Sequence, residues 1–302
     1  MSVITTGAHP KHLLPGVKAF FGTVYDQHGE EYKQLFDTRT SDKNFEEIVQ
    51  NNGLGLAPVK TEGSGIQYDS TNQGYTSRFT NVTYGLGYIV TREEIEDNLY
   101  EKNAMDRARA LKISMVETKE NVHANIYNRA FNSSYTGGDG VALCSAAHPT
   151  QSGNQSNVLA TAADLSESSL EDMIVQIMGA TNDRGLKIKL MPETLHVPRQ
   201  LVFEAERILK SVQQSGSANN DINALRSLGS IRGGVGVNHY FTDADAWFIR
   251  TNAANAMLSF QRRGLEFTDD NDFDTENAKF KATERYVAGW GEFRGVYATP
   301  GA

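Results

Sequence analysis

A single cysteine, Cys144, among 302 residues excludes an internal disulfide and any multi-thiolate metal site, so stability has to come from packing. No stretch approaches the roughly 18 to 20 consecutive apolar residues that a membrane-crossing helix needs. The opening MSVITTGAHPKHLLPG lacks the basic segment, apolar core and small-residue cleavage site of a secretory leader, and the expectation is a chain that stays in the cytoplasm where it is made. Excess positive charge is missing too: 29 Lys and Arg face 37 Asp and Glu, a formal charge of -8. Gripping phosphate backbones needs clustered Lys and Arg, so nucleic-acid binding is not the main task. Repeats and low-complexity tails are absent. What is there is length and apolar content, 39% hydrophobic over 302 residues, enough for one large domain or two ordinary ones.

Helices and strands alternate irregularly, which predicts an α+β fold. The first 50 residues mix short apolar groups (Leu13, Leu14, Val17, Phe20, Phe21) with polar stretches, as an extended arm with one or two short helices would. GLGLAPVKTEGSGIQYDSTNQGYTSRFTNVT, residues 53–83, reads as two strands around a turn. Tyr75 and Phe79 share one face, Val82 and Tyr84 the other. Neither face is apolar enough to provide a core of its own, so this hairpin is expected to pack on another molecule.

Thr91 and Glu94 form a capping-box pattern after the strand-like YGLGYIV. Ile95, Leu99, Ala104, Ala108, Leu111, Met115, Val122 and Ile126 follow at helical steps, predicting about 40 residues of helix with room for a break near Asn103. That is a spine of roughly 60 Å, longer than a compact domain covers. Ser168 and Glu171 repeat the capping pattern before a second helix with Leu170, Ile174, Ile177 and Met178 inside and Gly185 as its stop. LKIKLMPETLHVP reads as two short strands around Pro192, and Pro198 opens a helix to about Val212. Glycine-rich strands follow in SIRGGVGVNHYF and AWFIR, and KFKATERYVAGWGEFRGVYATPG reads as a closing hairpin.

Each candidate for chemistry meets a plainer reading. Cys144 and His148 in ALCSAAHPT could pair as thiolate and base, but Pro149 and the GGDG turn upstream predict a loop, and no helix start lowers the thiol pKa. Asp270, Asp272 and Asp274 begin like a calcium loop, yet Thr275 stands where glycine should and Lys281 where the bidentate Glu should, predicting a solvated acidic loop. GGVGV at 233–237 lacks the full G-x-G-x-x-G and a following helix, predicting a closely packed strand. His9 and His12 have H-x-x-H spacing without partner ligands. No metal, cofactor or catalytic signature is left.

The order of parts resembles the Hong Kong 97-type capsid fold of tailed bacteriophages. The wording of NRAFNSSYTGGDGVALCSAAHP, SLEDMIVQIMGATNDRGLKIKLMPETLHVPRQLVFEAERILKS and AWFIRTNAANAMLSFQRR is similar to the Mu-like major head subunit family. The resemblance implies a major capsid protein assembling as pentamers and hexamers around double-stranded DNA. It implies an arm at 1–49, an extended loop at 50–88, a peripheral domain with the spine helix at 89–185, an axial domain at 186–252 and closing peripheral strands at 253–302. Portal and a separate scaffolding protein would be its partners, with a decoration or cement protein as a further one, and it would assemble in the host cytoplasm for the virion. The subunit-interface candidates are Leu13, Leu14, Phe20 and Phe21 in the arm, Tyr68, Tyr75, Arg78 and Phe79 in the loop, and Glu93, Glu94, Arg107 and Arg109 on the spine. Lys60 lies where one relative carries a covalent crosslink between subunits. The rivals are a nanocompartment shell with an enzyme cargo and a cysteine-dependent hydrolase.

Overall fold

The computed structural model describes residues 29–96, 100–214, 221–272 and 276–302, with all of their side chains except those of 95–105. The arm candidates Leu13, Leu14, Phe20 and Phe21, the pair His9 and His12, and Asp274 and Thr275 lie outside the described residues. So do the side chains of Ile95, Leu99, Asn103 and Ala104.

The chain opens with α1 (Tyr32–Leu35), β1 (Asp37–Thr40) and the antiparallel pair β2 (Phe45–Asn52) and β3 (Asn72–Thr80). β4 (Val82–Val90) then leads to α2 (Arg92–Glu96) and the 29-residue α3 (Tyr100–Asn128), about 43 Å at 1.5 Å per residue. The Glu94 amide donates to Thr91 Oγ1 at 3.4 Å, half of the capping pattern. Next come a short hairpin, β5 (His148–Thr150) with β6 (Gly153–Gln155), then α4 (Glu167–Met178), β7 (Pro192–Pro198), α5 (Val202–Lys210) and α6 (Ala224–Leu228). β8 (Val235–Asn238), β9 (Trp247–Thr251), β10 (Met257–Asn271), β11 (Ala278–Trp290) and β12 (Val296–Thr299) close the fold.

Two four-stranded sheets carry the cores. The first runs β1-β10-β11-β4, with β1 parallel to β10 and the rest antiparallel. The spine α3 lies across it. Ala108, Leu111 and Met115, at three- and four-residue steps, meet Val90, Ala278, Phe280 and Ala282. One turn further the buried stripe becomes polar. His123 bridges the Lys119 carbonyl at 2.7 Å and Ser259 Oγ at 2.8 Å, and Glu120 accepts the Tyr32 amide at 3.0 Å. Burial lowers the His123 pKa to about 4, so the ring is neutral in the folded state at neutral pH.

Burial pushes the Glu120 carboxyl up to about 7, with Glu31 and Glu30 adding repulsion against the help of the Tyr32 amide. The folded chain therefore holds this proton more tightly than the unfolded one. The resulting stability is fully present below the ordinary carboxylate range and is lost as pH rises through about 7. We expect Glu120→Gln to raise the thermal midpoint at pH 8 relative to the wild type and to change it little at pH 5. Melts at both pH values check this; an equal shift at both would remove the proton as the cause.

The second sheet runs β12-β9-β7-β8. Its core joins Leu195, Val197, Trp247, Ile249 and Tyr297 to Leu170, Met173, Ile174 and Ile177 of α4. The helix α4 and Tyr297 of β12 thus pack against the sheet strands of residues 186–252, while Val296 and Ala298 of β12 face a core shared with Leu35, Phe36, Tyr127 and Met257. The cap of α4 is Ser166, whose side chain and that of Ser169 satisfy each other's amides, and the helix stops at Gly179. Ser168, Glu171 and Gly185 do not mark its ends, because serine at the third helical position closes the box as Glu would. Gly185, at φ +81°, instead completes the turn that donates to the Asn182 carbonyl.

Three further expectations change. Residues 187–191 form no strand, leaving β7 alone around Pro192, and α5 starts at Val202 rather than Pro198. The closing hairpin is β10 with β11, and β12 crosses to pair with β9. GGVGV does form a closely packed strand: a Cβ at Gly236 would stand 2.5 Å from His196 Nδ1. The acidic run, up to Asp272, lies at the tip of the β10–β11 hairpin.

Candidate assembly surface

The β2–β3 pair has a base held by its own subunit. Phe79 is buried, packs on Phe260 at 5.2 Å between ring centroids and shares a small core with Leu258, Ile48 and Val287. The expectation that the hairpin has no core in its own molecule is corrected there. The covering residues come from β10 and β11, some 180 positions later, which strand alternation by itself does not show. The GGDG turn sits under the same base. A Cβ at Gly138 would meet Ser77 Oγ at 2.6 Å and the Thr76 carbonyl at 2.8 Å, so only glycine lets the two segments approach.

Beyond the base the chain is bare. Residues 53–71 form no strand, and Leu54, Leu56, Val59, Ile66 and Tyr68 are exposed, Val59 by 93% and Tyr68 by 92%. An ion pair between Asp69 and Arg184, with the Gly55 amide donating to Asp69 Oδ2 at 2.8 Å, closes the neck of this excursion. The Arg184 hydrogen bond holds the Asp69 carboxyl well below the usual carboxylate range. Apolar side chains clustered on an outreaching segment are the mark of a contact surface. The extended loop, expected at 50–88, has strands that begin at Phe45, and β4 leaves it for the first sheet.

The other predicted contact residues differ in availability. Arg78 is exposed, paired with Glu47 at 2.7 Å and lying 4.3 Å from the centroid of the Phe45 ring. Tyr75 is half-buried, and its hydroxyl has no partner among the described residues. It lines a cleft of about 300 Å³ between hairpin and body together with Gln50, Asn52, Asp139 and Asp183. Glu94 and Arg107 grip each other in a two-point ion pair, 2.8 and 2.9 Å, that joins α2 to α3. Glu93 and Arg109 are exposed. Lys60 lies in the bare segment. Further exposed apolar side chains escaped the sequence reading: Phe203 on α5 and Leu228 at the end of α6 are 79% and 78% exposed, and Val212 and Ile222 between those helices are exposed as well.

ALCSAAHPT is structural. Cys144 is buried with its thiol pKa pushed up by desolvation, the reverse of an activated thiol. Both nitrogens of His148 are engaged, Nδ1 with Asp139 Oδ2 at 2.6 Å and Nε2 with Asn157 Oδ1 at 3.1 Å, and the ring stacks on Phe293 at 4.0 Å. Asn157 is the centre of this network. Its Nδ2 donates to the carbonyls of Leu143, Phe293 and Val296 at 2.7, 3.2 and 2.9 Å, and its Oδ1 also accepts the Ser145 amide at 2.8 Å. Arg294 does similar work beside it, buried and bonded to Asp183, Glu292, Gln155 and the Thr181 carbonyl. Nothing in the local sequence distinguishes Asn157 or Arg294 from surface residues. Among the described residues no group of three or more His, Cys, Asp or Glu could hold a metal, and no helix is long and apolar enough to cross a membrane.

An outreaching hairpin, a spine helix laid on one sheet and a second sheet with its own core define a shell-subunit fold of the Hong Kong 97 type. Solved structures share it. Mycobacterium phage Patience aligns at a TM-score of 0.54 with 13% identity, covering 98% of this chain and 88% of that one. The capsid of an empty GTA particle aligns at 0.52 with 9% identity, covering 89% and 88%. A virus-like particle from Pyrococcus furiosus aligns at 0.51 with 10% identity, covering 94% and 97%. The family model for phage capsid proteins matches residues 74–299, and the chain belongs to that family. The search of curated proteins found no match.

Proposed function

We propose that this capsid protein is the major head subunit of a tailed bacteriophage, assembling as pentamers and hexamers into an icosahedral shell that encloses double-stranded DNA. The observation that carries this reading is the bare apolar segment 53–71, held by a hairpin base locked into its own subunit. Such a segment is unfavourable in water and becomes favourable when a neighbouring copy covers it. Tyr68, Arg78, Glu93 and Arg109 would contribute at the same contacts, and the exposed Phe203 and Leu228 side chains would be covered by neighbours too. Phe79 has no part in it, being buried at home. The acidic balance suits a wall that encloses the genome without binding it tightly. The subunit would work without catalysis, with portal and a separate scaffolding protein as partners during assembly in the host cytoplasm.

The likeness to the virus-like particle favours one second reading, a nanocompartment shell. Electron microscopy of the purified product, expressed alone and with a scaffolding partner, tests both. Closed shells tens of nanometres across support assembly, and DNA within them supports the head. One dominant protein cargo would turn the reading to a nanocompartment, and monomers under both conditions would overturn it.

A further inference from the structure

The cleft of about 300 Å³ between hairpin and body collects buried oxygens that no described residue answers. Gln50, Asn52 and Tyr75 line it, and Gln50 Oε1, Asn52 Oδ1 and the Tyr75 hydroxyl each lack a partner among the described residues. The Gln50 amide has its orientation set, because Nε2 donates to Glu292 Oε2 at 2.9 Å and leaves Oε1 as an acceptor. Gly74 keeps the space beside these side chains open. A Cβ there would meet Asn52 Oδ1 at 3.2 Å and Gln50 Cβ at 3.3 Å.

The body side of the cleft is acidic. Asp139 and Asp183 line it, Asp139 meeting His148, and Asp183 sharing Arg294 with Glu292. Three carboxylates thus stand against a single arginine in these ion pairs. Burial first, then Glu292 and Asp139, push the Tyr75 hydroxyl far above its ordinary range, so it keeps its proton and can donate as well as accept.

The cleft is therefore short of N–H donors and of positive charge at once. Water could supply the donors but not the charge. A metal ion would find no group of three or more His, Cys, Asp or Glu side chains among the described residues. We propose that the cleft binds an organic cation carrying several N–H donors, a guanidinium or primary ammonium group. Guanidinium suits it best, since its planar fork of donors can serve amide oxygens on one wall and a carboxylate on the other, and its weak hydration makes entry less costly. Bound there, the cation would join β2 and β3 to the turn carrying Asp139 and the loop carrying Asp183, and so hold the hairpin on the body.

Calorimetric titration of the purified subunit with methylguanidinium and n-butylammonium, with hydrogen exchange read at residues 50–52 and 74–76, tests the proposal. The site needs no shell, so the result stands whatever the subunit assembles into. The expected result is saturable one-to-one binding and slower exchange in those strands, with no such effect from tetramethylammonium, a cation without N–H donors. Gly74→Ala, which fills the space, should abolish binding. Tyr75→Phe should weaken it roughly tenfold, the loss of one hydrogen bond at a charged group. Asn52→Asp should tighten it, an effect that a merely structural asparagine does not predict and that keeps the test decisive if Gly74→Ala fails to fold. Repeating the titration on assembled shells separates the sources of the cation: uptake there points to a free amine, and exclusion with the same amides already protected points to a basic side chain of a neighbouring copy. Equal responses to tetramethylammonium would reduce the effect to screening of an acidic surface and overturn the proposal. So would an absence of saturable binding by the subunit, or weaker binding in Asn52→Asp.

Discussion

Replacing residues 56–68 by a short Gly/Ser turn should abolish closed shells while the subunit stays folded, with an expected thermal midpoint within about 2 °C of the wild type. The excised residues are exposed, and the bonds at the neck, from Gly55, Asp69, Ser70 and Arg184, are retained. What is lost is apolar surface for a neighbour. Leu56, Val59, Ile66 and Tyr68 are removed, and burying a large apolar side chain is worth roughly 1.5 to 3 kcal/mol. Repeated at every contact of a closed shell, that loss outweighs the remaining area. The cut must stop short of β3. Removing 60–80 would take away Phe79 and the strand that carries it, and truncating a buried Phe alone costs about 3 to 5 kcal/mol. Circular dichroism with negative-stain microscopy reads both halves, and normal shells from the shortened chain would sink the loop assignment.

The second large effect is internal. Asn157→Leu keeps the size of the side chain but leaves the Leu143, Phe293 and Val296 carbonyls, the Ser145 amide and His148 Nε2 without their partner in a buried place. Each unsatisfied group costs about 1 to 3 kcal/mol, so even with partial relaxation the loss is roughly 4 to 6 kcal/mol. The midpoint should fall by roughly 10 °C or more. Asn157→Asp keeps the two accepted bonds but turns an acceptor oxygen toward the three buried carbonyls, so it should cost at least as much as Asn157→Leu. Cys144→Ala, which removes one small buried atom group and no side-chain hydrogen bond, should matter least of the three. Equal melts for Asn157→Leu and the wild type would show that the loop is held by packing instead.

These two experiments separate what could be read early from what could not. The apolar, glycine- and tyrosine-containing segment after residue 52 stood out as unable to cover itself, and its exposure follows from composition. Asn157 did not stand out, because an asparagine in QSNV has no periodicity, cap or turn signature to mark three carbonyls that meet it from residues 143, 293 and 296. The same limit explains Phe79. Alternation along β3 shows which residues share a face, but only the return of β10 and β11 shows which face is inside. Arg107 and Glu94 were legible as charges on a helix, while their engagement with each other depends on how α2 and α3 are set.

The sequence by itself determined the local matters: the α+β class, the helix starting after Thr91, the apolar spacing of α3 and α4 and the close-packed GGVGV strand. Each follows from neighbours a few residues apart, where backbone geometry and side-chain spacing act directly. The tertiary structure alone decided that β12 leaves the closing hairpin for β9, that Phe79 is buried within its own subunit, and that Asn157 gathers the carbonyls of Leu143, Phe293 and Val296. Those contacts join residues far apart in the chain, and their energy depends on burial and on distances that no single segment contains.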